Sequence, residues 1–289
     1  MIENKYILVT AAKNEEKYIG NTLKSVTSQS ILPLKWIIIN DGSTDSTAEI
    51  IKEYIDKFPF IELINNESKE KRNFASQANL LNLGFNSIKK SEFDFVSTLD
   101  ADITFESDYY ENIIKEFSNN PRLGIGGGSF FEFIDDEWKI IPTVKHSVRG
   151  AVQFFRKKCF VDIGEKLIPM KYGGFDTVAE VLARKNGWEV QTFQNYKVYH
   201  HRRQGTGGAG IYKVRFRGGL VEYSVGYHPF YQLLKCINRL REKPYIIGSL
   251  LRFSGFWWAT LRNEHRQLDE NFIKHHKQEQ LKRIRTRIF

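Results

Sequence analysis

Short, wholly apolar segments alternate with amphipathic helical segments over the first hundred residues, and this alternation constrains the fold most. Residues 6–11, 36–39, 61–64 and 93–99 are predicted strands, and helical spacing of apolar residues follows each of them. Ser46-Thr47-Ala48-Glu49 is a capping-box pattern that opens the second helix. A strand without polar alternation has both faces covered, so we predict an α/β fold with a mostly parallel central sheet flanked by helices.

Polar and acidic residues stand where these strands end, which is where such sheets bind ligands. The first strand runs into Ala11-Ala12-Lys13-Asn14-Glu15, the second into Asn40-Asp41-Gly42, and the fourth into Asp100-Ala101-Asp102. In extended chain the two carboxylates of the last motif point to the same side and suit one hard cation shared with phosphate oxygens. Asp41 suits turn chemistry or helix capping as well as hydrogen bonding to a base or ribose, and the residues so far do not separate these roles.

A second group of candidate residues lies further along the chain. Asp176, in Gly173-Gly174-Phe175-Asp176, is a candidate for the base that removes a proton from an attacking hydroxyl; capping of the following helix is its alternative role. His200 and His201 follow a short strand and point to opposite faces, so at most one of them faces a given site. Neutral imidazole suits ions such as Mn²⁺. Arg202 is a candidate for binding a diphosphate.

Together these motifs resemble those of family 2 glycosyltransferases. The resemblance is carried by residues 9–16, 38–45, 82–84 and 99–102, whose order and gaps fit the GT-A nucleotide-sugar transferase fold of that family. It covers residues 5–105 closely and 145–205 more loosely, and it is of the bacterial surface-polysaccharide type. It implies an inverting, metal-dependent transfer of a sugar from a nucleotide-sugar donor, UDP-linked, to a hydroxyl of a glycan or lipid-linked glycan acceptor.

The resemblance also assigns roles to individual residues. Asp102 would bind Mn²⁺ or Mg²⁺ directly, with Asp100 beside it and with His200, or else His201, as a further metal ligand. Asp176 would be the catalytic base; many members have an acidic residue just before it, and this chain has Phe175 there, which leaves Asp176 as the sole candidate. The residues that would bind the nucleotide-sugar are Ala11, Ala12, Glu15, Asp41, Arg72, Asp100, Ala101, Asp102 and Arg202.

Two other functions are compatible with parts of the sequence. A sugar nucleotidyltransferase on a related sheet would have a glycine-rich, basic loop after the first strand, where this chain has residues 11–15. A non-catalytic glycan- or membrane-binding protein on a degenerate transferase fold is favoured by Phe175. The glycine-rich segment 124–129 lacks the ending and the strand-to-helix setting of a phosphate-binding loop, and we predict a strand with close backbone approach there.

Positive charge is concentrated in the last third of the chain. Residues 197–289 contain 19 Lys and Arg against 6 Asp and Glu, although the whole chain has a net charge of only +9. We predict a GT-A catalytic domain over 1–205, with a nucleotide-binding half (1–105) and an acceptor and catalytic half (106–205). A basic, aromatic, helical C-terminal region follows over 206–289. Residues 244–258 are typical of a helix in a membrane interface, and packing on the catalytic domain is the alternative.

The predicted location follows from what the sequence lacks. Two cysteines cannot form a disulfide framework, and there is neither a signal-peptide-like start nor an apolar run of about 18 residues. These features predict a cytoplasmic protein, peripheral on the inner face of the cell membrane. No nucleic-acid partner is predicted, because the basic residues belong to no recognisable nucleic-acid-binding module.

Overall fold

A computed structural model of the chain describes residues 5–66, 74–202 and 210–288. Arg72, which was predicted to bind the nucleotide-sugar, lies outside the described residues. Residues 203–209 also lie outside the described residues.

The first half of the chain forms the parallel part of the sheet. Four strands lie side by side in the order β3-β2-β1-β4, and each pairs in parallel with its neighbour. They are β1 (Tyr6–Ala12), β2 (Lys35–Asn40), β3 (Ile61–Asn65) and β4 (Phe95–Thr98). The helices between them are α1 (Ile19–Thr27), α2 (Thr47–Ile55) and α3 (Phe74–Ser87).

The second half extends the same sheet with mixed strand directions. Its elements are β5 (Ile103–Phe105), α4 (Tyr109–Asn119), β6 (Leu123–Ile134), β7 (Glu137–Ile140), β8 (Phe154–Arg156), α5 (Lys157–Asp162), α6 (Phe175–Lys185) and β9 (Glu189–His200). Strand β8 lies antiparallel between β4 and β6, β9 runs parallel to β6, and β5 lies antiparallel to β9. The predicted α/β fold is confirmed, with its parallel part confined to the first four strands and the β6–β9 pair.

Apolar cores cover both faces of the sheet, as the wholly apolar strands predicted. One core packs α1, α2 and α4 on one face, through residues such as Leu23, Ile51 and Phe117. The other packs α3, α5 and α6 on the opposite face, through residues such as Leu81 and Phe160. Burial of this kind stabilises the fold by roughly 25 cal/mol for each Å² of apolar surface removed from water. The two cores therefore stabilise the sheet whose strand ends carry the polar residues.

Two local predictions have opposite outcomes. The glycine-rich segment lies in β6, and a Cβ on Gly128 would stand 2.3 Å from the backbone oxygen of Tyr196, which confirms the predicted close approach of two backbones. The capping box at Ser46 is wrong, because its side chain makes no capping hydrogen bond. Asp45 takes that role instead: its Oδ1 accepts a hydrogen bond of 3.1 Å from the N–H of Thr47.

The C-terminal region is helical, as predicted, and it packs on the catalytic half. It comprises α7 (Ile211–Ser224), α8 (Pro229–Asn238), α9 (Ile247–Leu261) and α10 (Glu270–Ile288). Phe272 of α10 joins Val178 and Val181 of α6 in a shared apolar cluster. The inner side of α9 is buried against α7, whereas its outer side is exposed. Among the described helices, none is both long and apolar enough to cross a membrane.

Candidate active site

The ends of β1, β2 and β4 meet at one edge of the sheet. Asp41 directly follows β2, and its N–H donates to the Ala12 oxygen at 2.9 Å. The Asp41 carboxylate is buried and accepts hydrogen bonds from Lys13 Nζ (3.1 Å) and Asn66 Nδ2 (3.0 Å). Its partners belong to the segments after β1 and β3, so Asp41 does not cap the helix that follows it. Its geometry suits an acceptor of hydrogen bonds at the nucleoside end of the site.

Glu15 connects this edge to the end of β9. The N–H of Glu15 donates to Thr47 Oγ1 at 2.7 Å, which fixes the backbone after β1 against α2. Its buried carboxylate forms an ion pair with the guanidinium of Arg202. Arg202 also lies over the ring of Tyr18, 5.4 Å from its centroid, and its Nε stands 3.5 Å from Asp102 Oδ2. Residues predicted separately, at positions 15, 102 and 202, therefore form one charged group.

The Asp100-Ala101-Asp102 motif forms a turn between β4 and β5 rather than the extended chain expected from the sequence. The turn sends the carboxylates to different neighbours. Asp100 Oδ1 accepts a hydrogen bond from Gln77 Nε2 of α3 at 3.1 Å, whereas Asp102 points to the end of β9. The turn itself is held by Thr22 of α1, whose hydroxyl donates to the Ala101 oxygen at 2.8 Å.

His200 stands between two carboxylates at the end of β9. Its Nε2 lies 3.5 Å from Asp102 Oδ2 and its Nδ1 lies 3.4 Å from Glu132 Oε1. Burial alone would lower the pKa of His200, but Asp102, Glu132 and the charge of Asp100 raise it to about 9. The strand pairing places these groups together, because His200 is opposite Glu132 in the β6–β9 register and opposite Ile103 in the β5–β9 register.

This arrangement fits a divalent cation. An imidazole that faces a metal with one nitrogen and a carboxylate with the other is the usual form of a histidine ligand, since the carboxylate orients the ring. Asp102 supplies a hard oxygen beside it. Within the described residues, no group of three or more His, Cys, Asp or Glu side chains is gathered closely enough to hold an ion unaided. The protein would therefore supply two ligands, Asp102 and His200, and phosphate oxygens of the donor would complete the shell, as is usual for Mg²⁺.

His201 faces the other side of β9, as expected for adjacent residues of a strand. Its Nε2 is 2.8 Å from Thr104 Oγ1, and its ring packs edge-on against Trp138, with the centroids 5.3 Å apart. Burial lowers the pKa of His201. Of the two candidate histidines, the structure brings His200 and not His201 to the Asp102 carboxylate.

Asp176 lies in the first turn of α6, two residues after its N-cap, Gly174. Its Oδ1 accepts a hydrogen bond of 2.8 Å from the N–H of Thr177, so the carboxylate satisfies one of the free donors of the helix start. Burial raises the pKa of the Asp176 carboxyl, and the N–H groups of Thr177 and Gly150 and the charge of Arg149 offset this only in part. A carboxylate with a raised pKa is a better proton acceptor than an exposed one.

Phe175 stands where many members of the resembled family have an acidic residue, and Asp176 next to it remains available as the candidate base. The Phe175 side chain is buried in the core that α6 shares with α3 and α5. The second carboxylate of this helix is supplied one turn later by Glu180, which lies on the same face as Asp176. Glu180 is buried; its Oε1 accepts hydrogen bonds from the N–H of Val148 (2.5 Å) and the hydroxyl of Ser147 (3.1 Å). Burial raises the pKa of Glu180 to about 8, with a further contribution from Asp176.

Arg149 is a site residue that the sequence did not indicate. It follows the two residues bound by Glu180, and its guanidinium lies over the ring of Phe130, 5.3 Å from the centroid. The Arg149 Nε has no hydrogen-bond partner among the described residues. Burial lowers the pKa of Arg149, while the charges of Glu132 and Asp176 act in the opposite direction. The charges of Asp176, the candidate base, and of Glu132, which lies 3.4 Å from His200, therefore both act on the Arg149 guanidinium.

Three functional candidates, Glu132, Arg149 and Glu180, were missed in the sequence. Glu180 had a usable signal, since it follows Asp176 by four residues within a helix and the two therefore share a face. Glu132 and Arg149 had none. They reach the site only through the pairing of β6 with β9 and through the loop that Glu180 binds.

Comparison with known proteins identifies the family. The model of glycosyl transferase family 2 matches residues 7–159. The poly-beta-1,6-N-acetyl-D-glucosamine synthase of Staphylococcus epidermidis is 31% identical over 214 residues, which are 67% of this chain and 47% of that protein. The synthase of the same name from Staphylococcus aureus strain COL is 38% identical over 195 residues, 60% of this chain and 43% of the relative. The chain spans less than half the length of these relatives.

Solved structures share the fold. Staphylococcus aureus TarS 1-349 in complex with UDP-GlcNAc has a TM-score of 0.57 at 14% identity, covering 88% of this chain and 71% of that one. The mannosyltransferase PcManGT from Pyrobaculum calidifontis, in complex with GDP-Man and Mn²⁺, has a TM-score of 0.57 at 14% identity, covering 89% and 74%. At this identity the likeness establishes the fold and not the ligands.

The sheet order and these neighbours define the GT-A fold, and the family model with the curated relatives defines a glycosyltransferase. Since the family model covers more than half of it, the chain belongs to glycosyl transferase family 2. The predicted family and fold class are confirmed. The individual roles of the site residues stay predictions.

Proposed function

We propose that the chain transfers a sugar from a nucleotide-sugar, UDP-linked, to a hydroxyl of a glycan or lipid-linked glycan, with inversion at the anomeric carbon, in the synthesis of a cell-surface polysaccharide. The observation that carries the proposal is the grouping of Asp41, Asp102 and His200 at one sheet edge of a family 2 chain. Asp176 adds a base with a raised pKa. A nucleotidyltransferase has no feature here in its favour, because residues 11–15 provide no glycine-rich, basic loop.

The donor would lie along the carboxyl ends of the first four strands. Asp41 and Glu15, with the small residues Ala11 and Ala12, would bind the nucleoside, and Arg202 would meet the diphosphate. The choice of UDP is supported by the name of the relatives, which make a polymer of N-acetyl-D-glucosamine, and by the UDP-GlcNAc bound to TarS. The GDP-Man complex of PcManGT makes GDP-mannose the main competing donor.

A divalent cation, Mn²⁺ or Mg²⁺, is part of the proposal. Asp102 and His200 would hold it, Glu132 would orient the His200 ring, and Asp100 would add negative charge beside it. When bound, the cation supplies Lewis-acid neutralisation of the leaving diphosphate. The Mn²⁺ in the PcManGT complex supports the type of ion.

The chemical step assigned to the protein's own residues is a single displacement. The acceptor oxygen forms a bond to the anomeric carbon while the bond from that carbon to the phosphate oxygen breaks, and the nucleoside diphosphate leaves with the bonding electrons. The proton of the acceptor hydroxyl moves to the Asp176 carboxylate. Arg149, between Asp176 and Glu132, would keep Asp176 ionised and ready to accept it.

The proposal extends to location: a cytoplasmic protein in peripheral contact with the inner face of a membrane. The basic C-terminal helices support this contact through their charge, since residues 197–289 hold 19 Lys and Arg against 6 Asp and Glu.

Donor binding tests the metal-dependent part. The purified protein is heated with UDP-GlcNAc, GDP-mannose or UDP, each with Mn²⁺, Mg²⁺ or a chelator. We expect one donor to raise the unfolding temperature with metal and not with chelator, because a ligand of the native state stabilises it by mass action. Asp102→Asn should lose this metal-dependent rise, and Asp56→Asn, at an exposed position at the C-terminal end of α2, is the matched control. Undiminished stabilisation of Asp102→Asn would remove the metal role.

Nucleotide release separates an enzyme from a binding protein. A transferase with a slow hydrolytic side reaction frees UDP or GDP from its donor even without an acceptor. If a protein that binds a donor in the thermal assay frees no nucleoside diphosphate, with metal and with glycan acceptors present, it is a non-catalytic binding protein on a transferase fold.

A further inference from the structure

The outer face of α8 is apolar where a surface helix of a globular protein is normally polar. Gln232 and Cys236, on its inner face, are buried, as expected for the side that packs on the fold. The outer row recurs every three or four residues and so forms one stripe along the helix. It consists of Phe230, Leu233 and Ile237, with 48%, 41% and 50% of their surface exposed, and Leu240, 37% exposed, continues it in the turn after the helix.

The turn into α9 adds a second exposed apolar row beside the first. The N–H of Ile246 donates to the Leu240 oxygen at 3.0 Å, which closes the connection and brings the two rows together. This second row consists of Tyr245, Ile246, Ile247 and Leu250, with 59%, 57%, 50% and 59% exposed. The two rows are called the apolar patch below. Apolar patches of this kind on a protein surface mark sites of association rather than free surface.

Positive charge borders the apolar patch. From residue 229 to residue 262 the chain has six Lys and Arg and one acidic residue, Glu242. Two of the cations, Lys235 and Arg252, form ion pairs with the single buried carboxylate of Glu222. Arg241 and Lys243 are exposed between the two rows, and neither has a carboxylate partner within the described part of the chain.

An apolar face with a cationic border matches an anionic lipid surface. Apolar side chains enter the boundary between headgroups and acyl chains, while arginine and lysine remain at the level of the anionic headgroups. The apolar patch would contact the surface of a membrane. None of the described helices is long and apolar enough to cross a bilayer.

The apolar patch adjoins the base side of the candidate active site. Helix α7, against which α9 packs, contacts the start of α6: a Cβ on Gly174 would stand 2.9 Å from Val221. Arg239, at the end of α8, is close enough for its charge to act on Arg149, which stands near Asp176. An acceptor delivered from a membrane beneath the apolar patch would thus arrive at Asp176 and not at the nucleoside end.

We propose that the apolar patch docks the protein on an anionic lipid bilayer and that the acceptor is a lipid-linked sugar presented from that bilayer. The docking surface stands by itself, whereas the acceptor class rests on the proposed function. Docking would bring the acceptor to the side of the fold where α7 contacts the start of α6, the helix that carries Asp176.

Vesicle binding tests the docking surface. The full chain is floated with phosphatidylcholine vesicles and with vesicles containing about one third phosphatidylglycerol. We expect binding to the anionic vesicles only, weakened at least tenfold by Leu233→Glu/Ile237→Glu. Reversing Arg241 and Lys243 to glutamate should weaken it about 25-fold or more, since each basic residue near such a surface contributes about 1 kcal/mol. Leu32→Glu/Leu34→Glu is the matched control, because these two leucines are 45% and 40% exposed and lie just before β2, outside the apolar patch.

The outcomes separate the occupants. Equal vesicle binding by the wild type and by Leu233→Glu/Ile237→Glu would overturn the docking surface. So would a wild type that ignores vesicles and forms a concentration-dependent dimer which the same double variant abolishes, because the apolar patch would then bind a second copy. Circular dichroism and thermal unfolding of each variant ensure that a loss of binding does not reflect unfolding.

Transfer assays test the acceptor class separately. A sugar on a long alkyl phosphate in anionic vesicles is compared with the same sugar without the alkyl chain. We expect Leu233→Glu/Ile237→Glu to slow transfer to the vesicle-borne acceptor about tenfold and to leave nucleotide release from the donor unchanged. Equal loss with both acceptors would overturn the lipid-linked assignment. Intact vesicle binding without transfer to any acceptor would refute the transferase function and leave the docking surface in place.

Discussion

The buried carboxyl of Glu180 predicts how the free energy of unfolding changes with pH. The carboxyl is buried beneath the loop that carries Arg149, and its pKa is raised from 4.5 to about 8. Because the folded pKa lies above the unfolded one, protonated Glu180 contributes full stability below about pH 4.5. That contribution is lost as the pH rises through about 8. Glu180→Gln cannot ionise, and its remaining Oε1 can still accept the hydrogen bonds of Val148 and Ser147.

The size of the effect follows from the displacement of the pKa. Each unit corresponds to about 1.4 kcal/mol, so the stability of Glu180→Gln relative to the wild type should grow between pH 5 and pH 8.5 by on the order of 4 kcal/mol. This is an upper value, since Arg184, 3.6 Å from Glu180 Oε2, loses one of its two carboxylate partners among the described residues in the variant and keeps only Glu279. For a chain of 289 residues it corresponds to a relative rise in unfolding temperature of roughly 7 °C.

The assay is thermal unfolding of both proteins across this pH range, followed by circular dichroism. Glu62→Gln is the control, because Glu62 is 44% exposed and pairs with Lys35 at the surface. We expect no growth of its difference with pH. A Glu180→Gln difference that stays constant from pH 5 to pH 8.5 would refute the buried, protonated carboxyl beneath the Arg149 loop.

Three further predictions concern the site and its support. Glu132→Gln should raise the Mn²⁺ concentration needed for half-maximal donor binding by about 10- to 100-fold, because the variant lacks the carboxylate that orients the His200 ring. His201→Ala should leave that concentration nearly unchanged. The thermal shift at increasing Mn²⁺ concentration measures both. The acidic limb of kcat/KM should lie above 3.8, the ordinary pKa of an aspartate carboxyl, because the base Asp176 must be ionised and burial raises its pKa; a limb at or below that ordinary value excludes Asp176. Gly128→Ala should destabilise the fold by about 1–3 kcal/mol or more in urea unfolding, since its Cβ would stand 2.3 Å from a backbone oxygen of Tyr196.

The nucleotide-binding half could be predicted because its signals are local. Each apolar run forms a strand, and parallel strands end at the same edge of the sheet, so Asp41 and the turn that carries Asp102 both lie at that edge. The turn at Asp100-Ala101-Asp102 could not be foreseen. It exists because β5 follows at once and pairs with β9, a strand that lies almost a hundred residues away in the chain.

The acceptor half depends on contacts that no short pattern contains. Glu132 meets His200 only through the register of β6 with β9, which contains two irregularities. The sequence also could not show which side of α9 is buried against other helices and which part of it is exposed. Its inner face packs on α7, which belongs to the C-terminal region and not to the predicted catalytic domain, and its start belongs to the exposed apolar patch. The part of the patch on α8 was visible in the spacing of Phe230, Leu233 and Ile237.

Transfer by the Asp176→Asn variant tests the central claim most directly. Asparagine retains the shape of the side chain and an oxygen for the Thr177 N–H, but it cannot accept the proton of an acceptor hydroxyl. With the donor identified by thermal shift, we expect the wild type to form a product of inverted anomeric configuration and the variant to do so about 10²- to 10⁴-fold more slowly, with unchanged donor affinity. Transfer by Asp176→Asn at a rate near that of the wild type would contradict the account.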